Sequence, residues 1–489
     1  MPGRPNVVLI MADQLGARAL PAYGNAVVRS PHLDRLAEDG VVFERALCAS
    51  PLCAPSRASL MTGLLPSHTG VYDNAGELPA SVPTFAHHLR AAGYRTVLAG
   101  KMHFIGPDQL HGFEERLVPD VYPAGFDWVP DWRLEDEETL PWYHDLGSVL
   151  RAGPVRETLQ LGYDAEVREQ ACRAIAQSAR EPDRPLLLVA SFTHPHDPYE
   201  VPPEYWDRYD GDAIDPPAHP APPDPVDPAT RRLRAMLRSD DVEVSAERVL
   251  AARHGYYGAI SLVDDHVGAI LETLSEHGVA DGTVILFTSD HGDMLGERGL
   301  WYKMAPFEGS VQVPLLVHAP GRFGSRRVAA PVSLLDLLPT LVQLAGATPA
   351  GPVGGVSLME ALEGGSAPER DVPLEYLAEG VRAPQVTLVR GSRKLVRCLG
   401  EPDLVYDLDS DPFERTGGAD DSLARAAGER WDLAKLDAAV RESQERRGLV
   451  VSALTAGALT AWDHPGSPDG PYIRTGDDFW GTLEAARKP

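Results

Sequence analysis

The chain has few cysteines and no long apolar run, and each of these features excludes some classes of protein. Four cysteines in 489 residues are too few and too scattered to build a disulfide framework or a zinc cluster. No apolar stretch approaches the roughly 20 residues that a membrane-spanning helix needs. The start, MPGRPNVVLIMADQ, carries a short apolar run without a small-residue cleavage site, which favours a first strand over a signal peptide. We therefore expect a cytoplasmic protein without a membrane anchor.

Positive charge is also in short supply. Lys and Arg number 45 against 71 Asp and Glu, and the formal net charge is −26. So acidic a chain argues against nucleic acid or an anionic membrane as a partner. Charged residues at 24% and hydrophobic residues at 43% are ordinary for a globular protein, and the length allows a large core.

Short apolar runs alternate with helical patterns along most of the chain. This alternation predicts an α/β fold with a mostly parallel central sheet covered by helices on both faces. The predicted strands include Asn6–Met11, Thr96–Ala99, Leu186–Ser191 and Thr283–Phe287. The predicted helices include Ser30–Asp39, Thr84–Ala92, Asp164–Arg180, Ser245–His277 and Ser333–Ala345. Nine prolines between Val201 and Pro228 predict an ordered surface excursion or a lid.

The alternation of apolar runs with helical patterns ends at about Glu369. Short strands are predicted at Gln385–Arg390, Lys394–Cys398 and Asp403–Leu408, followed by a charged helix over Ser422–Arg446. We therefore divide the chain into a main domain over residues 1–369, an α+β subdomain over 370–446 and a tail over 447–489. Because the tail has little core of its own, we expect it to dock on another surface.

Polar residues follow the predicted central strands at their carboxyl ends. They are Asp13 and Gln14, Lys101 and His103, His196, and Asp290 and His291. Open parallel sheets bind ligands along that edge, so four separate segments predict one site. The carboxylates of Asp13 and Asp290, the amide oxygen of Gln14 and the imidazole of His291 are able to coordinate a divalent cation. Taken singly, Asp13 would more readily cap a turn, and Asp290 and His291 would more readily form a surface pair; their matching places at strand ends favour the metal site instead.

The segment Leu52-Cys-Ala-Pro-Ser-Arg-Ala-Ser-Leu-Met-Thr-Gly63 carries the strongest signal. Pro55 and Ser56 predict a turn and a cap for a helix that starts near Arg57. Cys53 would then lie beside a helix N-terminus, where anions are favoured. A buried structural thiol is the alternative for a single cysteine. The segment resembles the signature of the type I sulfatases, which belong to the alkaline phosphatase superfamily.

The resemblance implies that Cys53 is oxidised by a formylglycine-generating enzyme to formylglycine (3-oxoalanine), whose hydrate is the nucleophile. One hydroxyl of the hydrate can attack sulfur, and the other can lose its proton and expel sulfate, so no water need attack the sulfur. The resemblance also implies that the group at position 53 completes a metal site with Asp13, Gln14, Asp290 and His291. Calcium is the expected ion, with magnesium or manganese as alternatives because the imidazole softens the ligand set.

Further roles follow from the same resemblance. Arg57 suits sulfate oxygens or the hydrated aldehyde, and Lys101 and Lys303 would hold the sulfate as charge builds up. His103 would orient the hydrate. His196, with His194 as the alternative, would protonate the leaving oxygen.

Longer blocks, over residues 100–116, 289–304 and 472–475, resemble the choline-sulfatase branch of the family. This resemblance implies an alkaline-phosphatase-like fold with a smaller C-terminal antiparallel sheet. It also implies an extended tail that reaches a neighbouring subunit, and hence a homo-oligomer, either a dimer or a tetramer. Asp-Gln and Asp-His at the metal site, in place of the commoner Asp-Asp and Asp-Asn, occur in the choline-sulfatase and phosphonate monoester hydrolase branches.

The implied substrate is choline-O-sulfate, which is cleaved to choline and sulfate. Its quaternary ammonium has no hydrogen-bond donor, so aromatic faces and carboxylates must hold it. By resemblance these are Trp128, near Phe126 and Trp132, together with Glu379 and Asp478 or Asp477. The aromatic residues would otherwise pack in the core. Two alternatives stay open: a phosphonate monoester or phosphodiester hydrolase with the same nucleophile and metal, and a non-catalytic ligand-binding protein with an unmodified thiol.

Overall fold

The computed structural model describes residues 4–127, 129 and 145–455 of the chain. The strands are β1 (Asn6–Ala12), β2 (Val41–Phe43), β3 (Ala46–Leu47), β4 (Arg95–Gly100), β5 (Glu115–Val118), β6 (Gly153–Pro154), β7 (Leu186–Ser191), β8 (Glu200–Val201), β9 (Thr283–Ser289), β10 (Gln312–Val313), β11 (Leu315–His318), β12 (Arg326–Val328), β13 (Val332–Ser333), β14 (Val372–Tyr376), β15 (Gln385–Arg390), β16 (Arg393–Cys398) and β17 (Leu404–Asp407).

The helices are α1 (Pro31–Asp39), α2 (Cys53–Thr62), α3 (Pro66–Thr69), α4 (Phe85–Ala91), α5 (Gly147–Arg151), α6 (Leu159–Ser178), α7 (Pro203–Trp206), α8 (Pro228–Met236), α9 (Ala246–Glu276), α10 (Glu308–Val311), α11 (Leu337–Leu344), α12 (Met359–Leu362), α13 (Asp421–Arg430) and α14 (Leu433–Thr455). None of these helices in the described part of the chain is both long enough and apolar enough to cross a bilayer.

The central sheet has eight strands in the order β12-β2-β11-β9-β1-β7-β4-β5. The pairs β9–β1, β1–β7, β7–β4 and β4–β5 run parallel, whereas β11 runs antiparallel to both of its neighbours. The predicted mostly parallel sheet is therefore confirmed. The four central strands predicted from the sequence are β9, β1, β7 and β4, and they are adjacent.

Strand β1 illustrates why both faces of this sheet are covered. Successive strand residues point to opposite faces. Accordingly Val8 and Ile10 join one core cluster, while Val7, Leu9 and Met11 join the other. The first cluster includes side chains of α1, α6 and α9, and the second includes those of α2, α4 and α11. A strand that is apolar at every position is typical of a parallel sheet between two helical layers.

Two predicted helices differ from the structure at their starts. Helix α6 begins at Leu159, before the predicted Asp164, because the Thr158 side chain accepts a hydrogen bond from the Leu161 amide and caps an additional turn. The predicted helix Ser333–Ala345 starts as a 3-10 turn over Leu334–Asp336, and α11 follows it.

The proline-rich segment after Val201 is an ordered surface segment that packs on α9. The Tyr209 hydroxyl lies 2.6 Å from Ser261 Oγ and 3.2 Å from the Tyr257 carbonyl oxygen. These contacts fix its middle to the helix.

The C-terminal region contains the predicted antiparallel sheet, with strands in the order β14-β15-β16-β17. The first of them, β14, was not predicted. The single predicted helix over Ser422–Arg446 is wrong, because Trp431 has an extended backbone (φ −126°, ψ 131°) and separates α13 from α14. The Trp431 indole donates to Glu375 Oε1 at 2.8 Å, which anchors this break. Helix α14 continues past the predicted boundary between residues 446 and 447, and the three-part division stays a prediction.

Candidate active site

The carboxyl ends of β9, β1, β7 and β4 lie side by side, and the polar residues predicted to follow them are buried there. At most 6% of the surface of each of these residues is exposed, and the same holds for Lys303. The residues at the strand ends are Asp13, Gln14, Lys101, His103, His196, Asp290 and His291. The sheet thus builds one enclosed polar site from four separate segments.

Helix α2 presents Cys53 in its first turn. It begins at Cys53 itself, so the prediction that Ser56 caps a helix starting near Arg57 is wrong. The Ser56 hydroxyl instead donates to the Asp290 carbonyl oxygen at 2.6 Å. The Ala54 amide donates to Asn74 Oδ1 at 2.9 Å, which satisfies one of the N-terminal amides that lack a partner inside a helix.

Arg57 joins the two carboxylates of the site. Its Nε lies 2.8 Å from Asp290 Oδ2, and its NH2 nitrogen lies 3.1 Å from Asp13 Oδ2. Lys101 also forms an ion pair with Asp13. Burial opposes ionisation of Asp13, but the charges of Lys101 and Arg57 hold its pKa well below the usual value. Burial likewise opposes ionisation of Asp290, whose pKa Arg57 lowers. Both groups are therefore carboxylates at neutral pH.

Four ligand-type side chains meet beside this pair. The donor atoms of Asp13, Cys53, Asp290 and His291 all lie within 4.8 Å of one another. Burial lowers the pKa of His291 to about 4, so the imidazole is neutral, and its Nε2 lies 3.1 Å from Cys53 Sγ. Asp13 Oδ1 is buried without a hydrogen-bond partner among the described residues. Two carboxylates, one of which has an oxygen without a hydrogen-bond donor, and a neutral imidazole fit a divalent cation.

Gln14 lies at the edge of this group with its amide held in one orientation. Its Nε2 donates to Asp293 Oδ2 at 2.7 Å and to Asp197 Oδ1 at 3.3 Å. Its Oε1 accepts from Lys303 Nζ at 2.9 Å. The amide oxygen therefore faces the site, and its place among the metal ligands stays a prediction.

Lys303 and His196 form the opposite side of the site. Lys303 Nζ lies 2.5 Å from His196 Nε2, while His196 Nδ1 lies 2.7 Å from the Asp197 carbonyl oxygen. Burial and the charge of Lys303 hold the pKa of His196 well below its usual value. His196 is consequently a neutral imidazole that accepts from Lys303.

His194, the alternative acid, has a different position. Its Nδ1 lies 2.7 Å from Asp164 Oδ2, and its backbone amide donates to the same oxygen at 3.0 Å. Asp164 belongs to α6, so these bonds tie His194 to the helical layer. The structure thus places His196, and not His194, against Lys303.

Tyr122 is a residue of the site that sequence reasoning missed. Its ring stacks on His103 with centroids 5.0 Å apart, and Lys101 Nζ lies 4.1 Å from the Tyr122 centroid. The His196 ring approaches at 6.4 Å. Tyr122 follows β5, a strand that was not predicted, and belongs to no recognised catalytic motif. The signal for it in the sequence was its place shortly before the aromatic cluster at Phe126. The other missed residues, Asn74, Asp197 and Asp293, lie in loops. Asp197 directly follows His196, and Asp293 falls inside the block over residues 289–304.

The predicted choline-binding residues are only partly visible. Trp128 and Asp478 lie outside the described residues, as do Trp132 and Asp477. Glu379 is fully buried, and its two carboxylate oxygens accept from the Asn74 amide and from Asn74 Nδ2, both at 2.7 Å. It is thereby linked through Asn74 to the first turn of α2. Phe126 packs against a small apolar cluster with Val129.

Comparisons with known proteins agree with this geometry. Residues 5–347 match the family model described as Sulfatase, and residues 438–487 match the one described as Choline sulfatase enzyme C terminal. The chain is 45% identical over 483 residues to Choline-sulfatase of Rhizobium meliloti (strain 1021), with 94% of each chain covered. It is 28% identical to Arylsulfatase of Clostridium perfringens (strain 13 / Type A), covering 84% of this chain and 90% of that one.

A solved structure is also similar over most of the chain. The phosphonate monoester hydrolase of Agrobacterium radiobacter superposes with a TM-score of 0.68 at 28% identity, covering 89% of this chain and 96% of the other. The predicted alkaline-phosphatase-like fold is confirmed. The fold, the ligand-type side chains at the strand ends and the matched family model together lead to one conclusion: the chain belongs to the sulfatase family.

Proposed function

We propose that this protein hydrolyses choline-O-sulfate to choline and sulfate. The observation that carries the proposal is the 45% identity to a choline-sulfatase over 94% of both chains. A match to the choline sulfatase C-terminal model over residues 438–487 supports the same substrate. The enclosed site, rich in cationic side chains, suits a reaction in which negative charge develops on sulfate oxygens.

The sulfatase family implies formylglycine at position 53 and a divalent cation. The hydrated aldehyde would supply the hydroxyl that attacks sulfur, and the cation would polarise a sulfate oxygen and acidify the hydrate. Asp13, Asp290, His291 and Gln14 would hold the cation together with the group at position 53. Calcium is the expected ion, with magnesium or manganese as alternatives. A plain thiol would serve poorly, because burial raises the pKa of Cys53 to about 12.

Cationic side chains would hold the sulfate group. Lys101 and Lys303 are both buried, and burial opposes their charge. The Asp13 carboxylate nevertheless raises the pKa of Lys101 above its usual value, and the carboxylates of Asp197 and Asp13 act in the same direction on the pKa of Lys303. Both therefore remain ammonium groups that can bind sulfate oxygens. Arg57 would keep the two carboxylates in place, and His103 would orient the hydrate.

His196 would donate the proton that the leaving oxygen needs. When the sulfur–oxygen bond breaks, choline leaves as an alkoxide unless a proton reaches it. His196 is neutral while it accepts from Lys303. An anionic sulfate bound beside Lys303 would offset that charge and raise the pKa of His196, so that the acid form arises in the substrate complex. The proton then passes from His196 Nε2 to the choline oxygen.

Choline recognition would combine an aromatic face with carboxylates. We assign the face to Trp128 and the carboxylates to Glu379 and Asp478. Asp478 falls in the segment matched by the choline sulfatase C-terminal model. If this tail reaches a neighbouring subunit, the enzyme is a homo-oligomer, either a dimer or a tetramer. Maturation by a formylglycine-generating enzyme and a cytoplasmic location belong to the same proposal.

Side-by-side steady-state kinetics test the substrate. Choline-O-sulfate, a simple alkyl sulfate, an aryl sulfate and an aryl phosphonate are compared with one cation at one concentration. The proposal expects the highest kcat/KM for choline-O-sulfate, loss of turnover in Cys53→Ala, and a position-53 peptide lighter than its cysteine form. Trp128→Ala should lower kcat/KM for choline-O-sulfate and leave that for the aryl sulfate unchanged. Equal turnover of all three sulfates would remove the choline assignment.

A second activity is favoured by one observation, the likeness to a phosphonate monoester hydrolase at a TM-score of 0.68 and 28% identity. Faster turnover of the phosphonate, or of a phosphodiester, would support it. A non-catalytic binding role would require that position 53 stay a thiol, which the mass of the peptide that contains it decides.

A further inference from the structure

Helix α14 packs on two loops that meet behind the first turn of α2. One loop leads into Asn74 and the other into Glu379, and these two residues are hydrogen-bonded to each other. The apolar side chains that pack together are Tyr72, Leu377, Ala378, Leu436 and Val440. The C-terminal helix therefore holds together the loops that carry the Asn74–Glu379 contact.

An ion pair fastens the same helix to the first of these loops. Arg447 of α14 donates from both terminal nitrogens to the Asp73 carboxylate, with NH2 lying 2.8 Å from Oδ2. The Asp73 side chain is 2% exposed and that of Arg447 is 16% exposed. A two-bond pairing so shielded from water is stronger and more directional than a surface ion pair. Asp73 Oδ1 also accepts from the Ala75 amide at 3.0 Å, so Asp73 shapes the turn that presents Asn74.

Asn74 supplies a contact that the N-terminus of α2 lacks. The residue before the helix is Leu52, whose side chain makes no capping hydrogen bond, and the Ala54 amide donates to Asn74 Oδ1 instead. Ala54 is the residue after Cys53. A displacement of Asn74 would therefore displace the first turn of α2 and the group at position 53 with it.

We propose that Arg447 and Asp73 are positioning residues for sulfate-ester hydrolysis. Their ion pair fixes Asn74, and Asn74 fixes the turn that aims the nucleophile. The inference rests on the proposed function and deepens it. Arg447 lies within residues 438–487, the segment matched by the choline sulfatase C-terminal model. That segment thus acts on the nucleophile as well as on any neighbouring subunit.

Two methionine variants test this role. Arg447→Met removes the guanidinium but keeps an unbranched side chain, while Arg446→Met is the matched control. Arg446 is exposed and pairs with Glu442 on the same helix. Rates on choline-O-sulfate and on an aryl sulfate are divided by the aldehyde content at position 53. We expect Arg447→Met to lower kcat about 10-fold to 100-fold on both substrates, as small misplacements of reacting groups do, with little change in KM. Arg446→Met should match the wild type.

Rescue and coupling complete the test. Arg447→Lys should restore much of kcat, since an ammonium can still pair with Asp73. Asp73→Asn should reproduce the loss, and the double variant should be no worse than either single variant. If Arg447→Met fails to fold, Asp73→Asn carries the test because it keeps the side-chain shape.

Unchanged kcat in both charge variants would overturn the inference, and so would a loss confined to KM for choline-O-sulfate. A loss that disappears when higher enzyme concentration restores subunit assembly would also overturn it. An aldehyde-bearing wild type that cleaves no sulfate ester would count against the proposed function instead.

Discussion

Replacement of Lys303 by methionine tests how the site divides charge between sulfate binding and proton donation. Lys303 is 1% exposed, and its Nζ lies 2.9 Å from Gln14 Oε1 and 2.5 Å from His196 Nε2. Methionine keeps a side chain of similar length and removes the charge. We expect kcat on choline-O-sulfate to fall about 100-fold to 1000-fold, roughly 2.7–4 kcal/mol, the loss typical of removing one donor aimed at developing negative charge.

The same variant should shift the pH profile in a defined direction. Burial and the Lys303 ammonium hold the pKa of His196 well below its usual value. A general acid works in its protonated form, so activity falls as the pH rises through the pKa of His196. Loss of a positive charge 2.5 Å from Nε2 raises that pKa. The acid form of His196 arises in the substrate complex, so the pH profile of kcat reports it. The basic limb of that profile should therefore move to higher pH in Lys303→Met, even though the maximal kcat is lower.

The assay is sulfate release between about pH 5 and 9 at a saturating cation concentration, corrected for the aldehyde content at position 53. Lys435→Met is the matched control, because Lys435 is an exposed residue of α14 and the substitution is the same. It should change neither kcat nor the profile. A basic limb that stays in place or moves to lower pH would refute His196 as the acid. If kcat falls by less than about tenfold in Lys303→Met, Lys303 is refuted as a sulfate-binding group.

Two further predictions follow from the aromatic and histidine contacts. Tyr122→Phe keeps the ring against His103 and Lys101 and should retain most of kcat. Tyr122→Leu removes the ring and should lower kcat about tenfold. Full activity of the leucine variant would contradict this prediction. His266 stacks on Phe192, its two ring nitrogens have no hydrogen-bond partner within the described residues, and burial lowers its pKa to about 4. The unfolded chain binds a proton below about pH 6.5, so about 3 kcal/mol of folding free energy is lost as the pH falls from about 6.5 to 4. Urea unfolding of His266→Phe should show a weaker pH dependence in that range, and an unchanged slope would contradict the assignment.

The location of the site could be predicted because its residues come directly after central strands. Asp13, Lys101 and Asp290 each follow a continuous apolar run, and such runs identify buried parallel strands. Parallel strands bring their carboxyl ends to one edge, so chain order alone places these side chains together. The side-chain types then limit the chemistry to anion binding and metal coordination.

Residues in irregular loops could not be predicted in this way. Asn74 follows no strand, Tyr122 follows the short strand β5 that was not predicted, and no periodic pattern sets where their side chains point. Tyr122 reaches His103 because its segment packs against the cluster of Ala75, Ile105 and Val129. Asn74 reaches the Ala54 amide because Asp73 shapes the turn before it. Both placements are products of tertiary packing, which local sequence does not encode.

Gln14 illustrates the difference between residue type and presented atom. The sequence offers an amide, which is both donor and acceptor. Asp293 determines which atom of the Gln14 amide faces the site. Its Oδ2 accepts from Gln14 Nε2, while its Oδ1 accepts from the Tyr302 amide at 2.9 Å. One carboxylate thus turns the amide oxygen toward the site and sets the spacing between Gln14 and the loop that carries Lys303. An amide oxygen has two lone pairs, so Lys303 can occupy one while the other remains for a cation. The metal role predicted for Gln14 and its bond to Lys303 are therefore compatible.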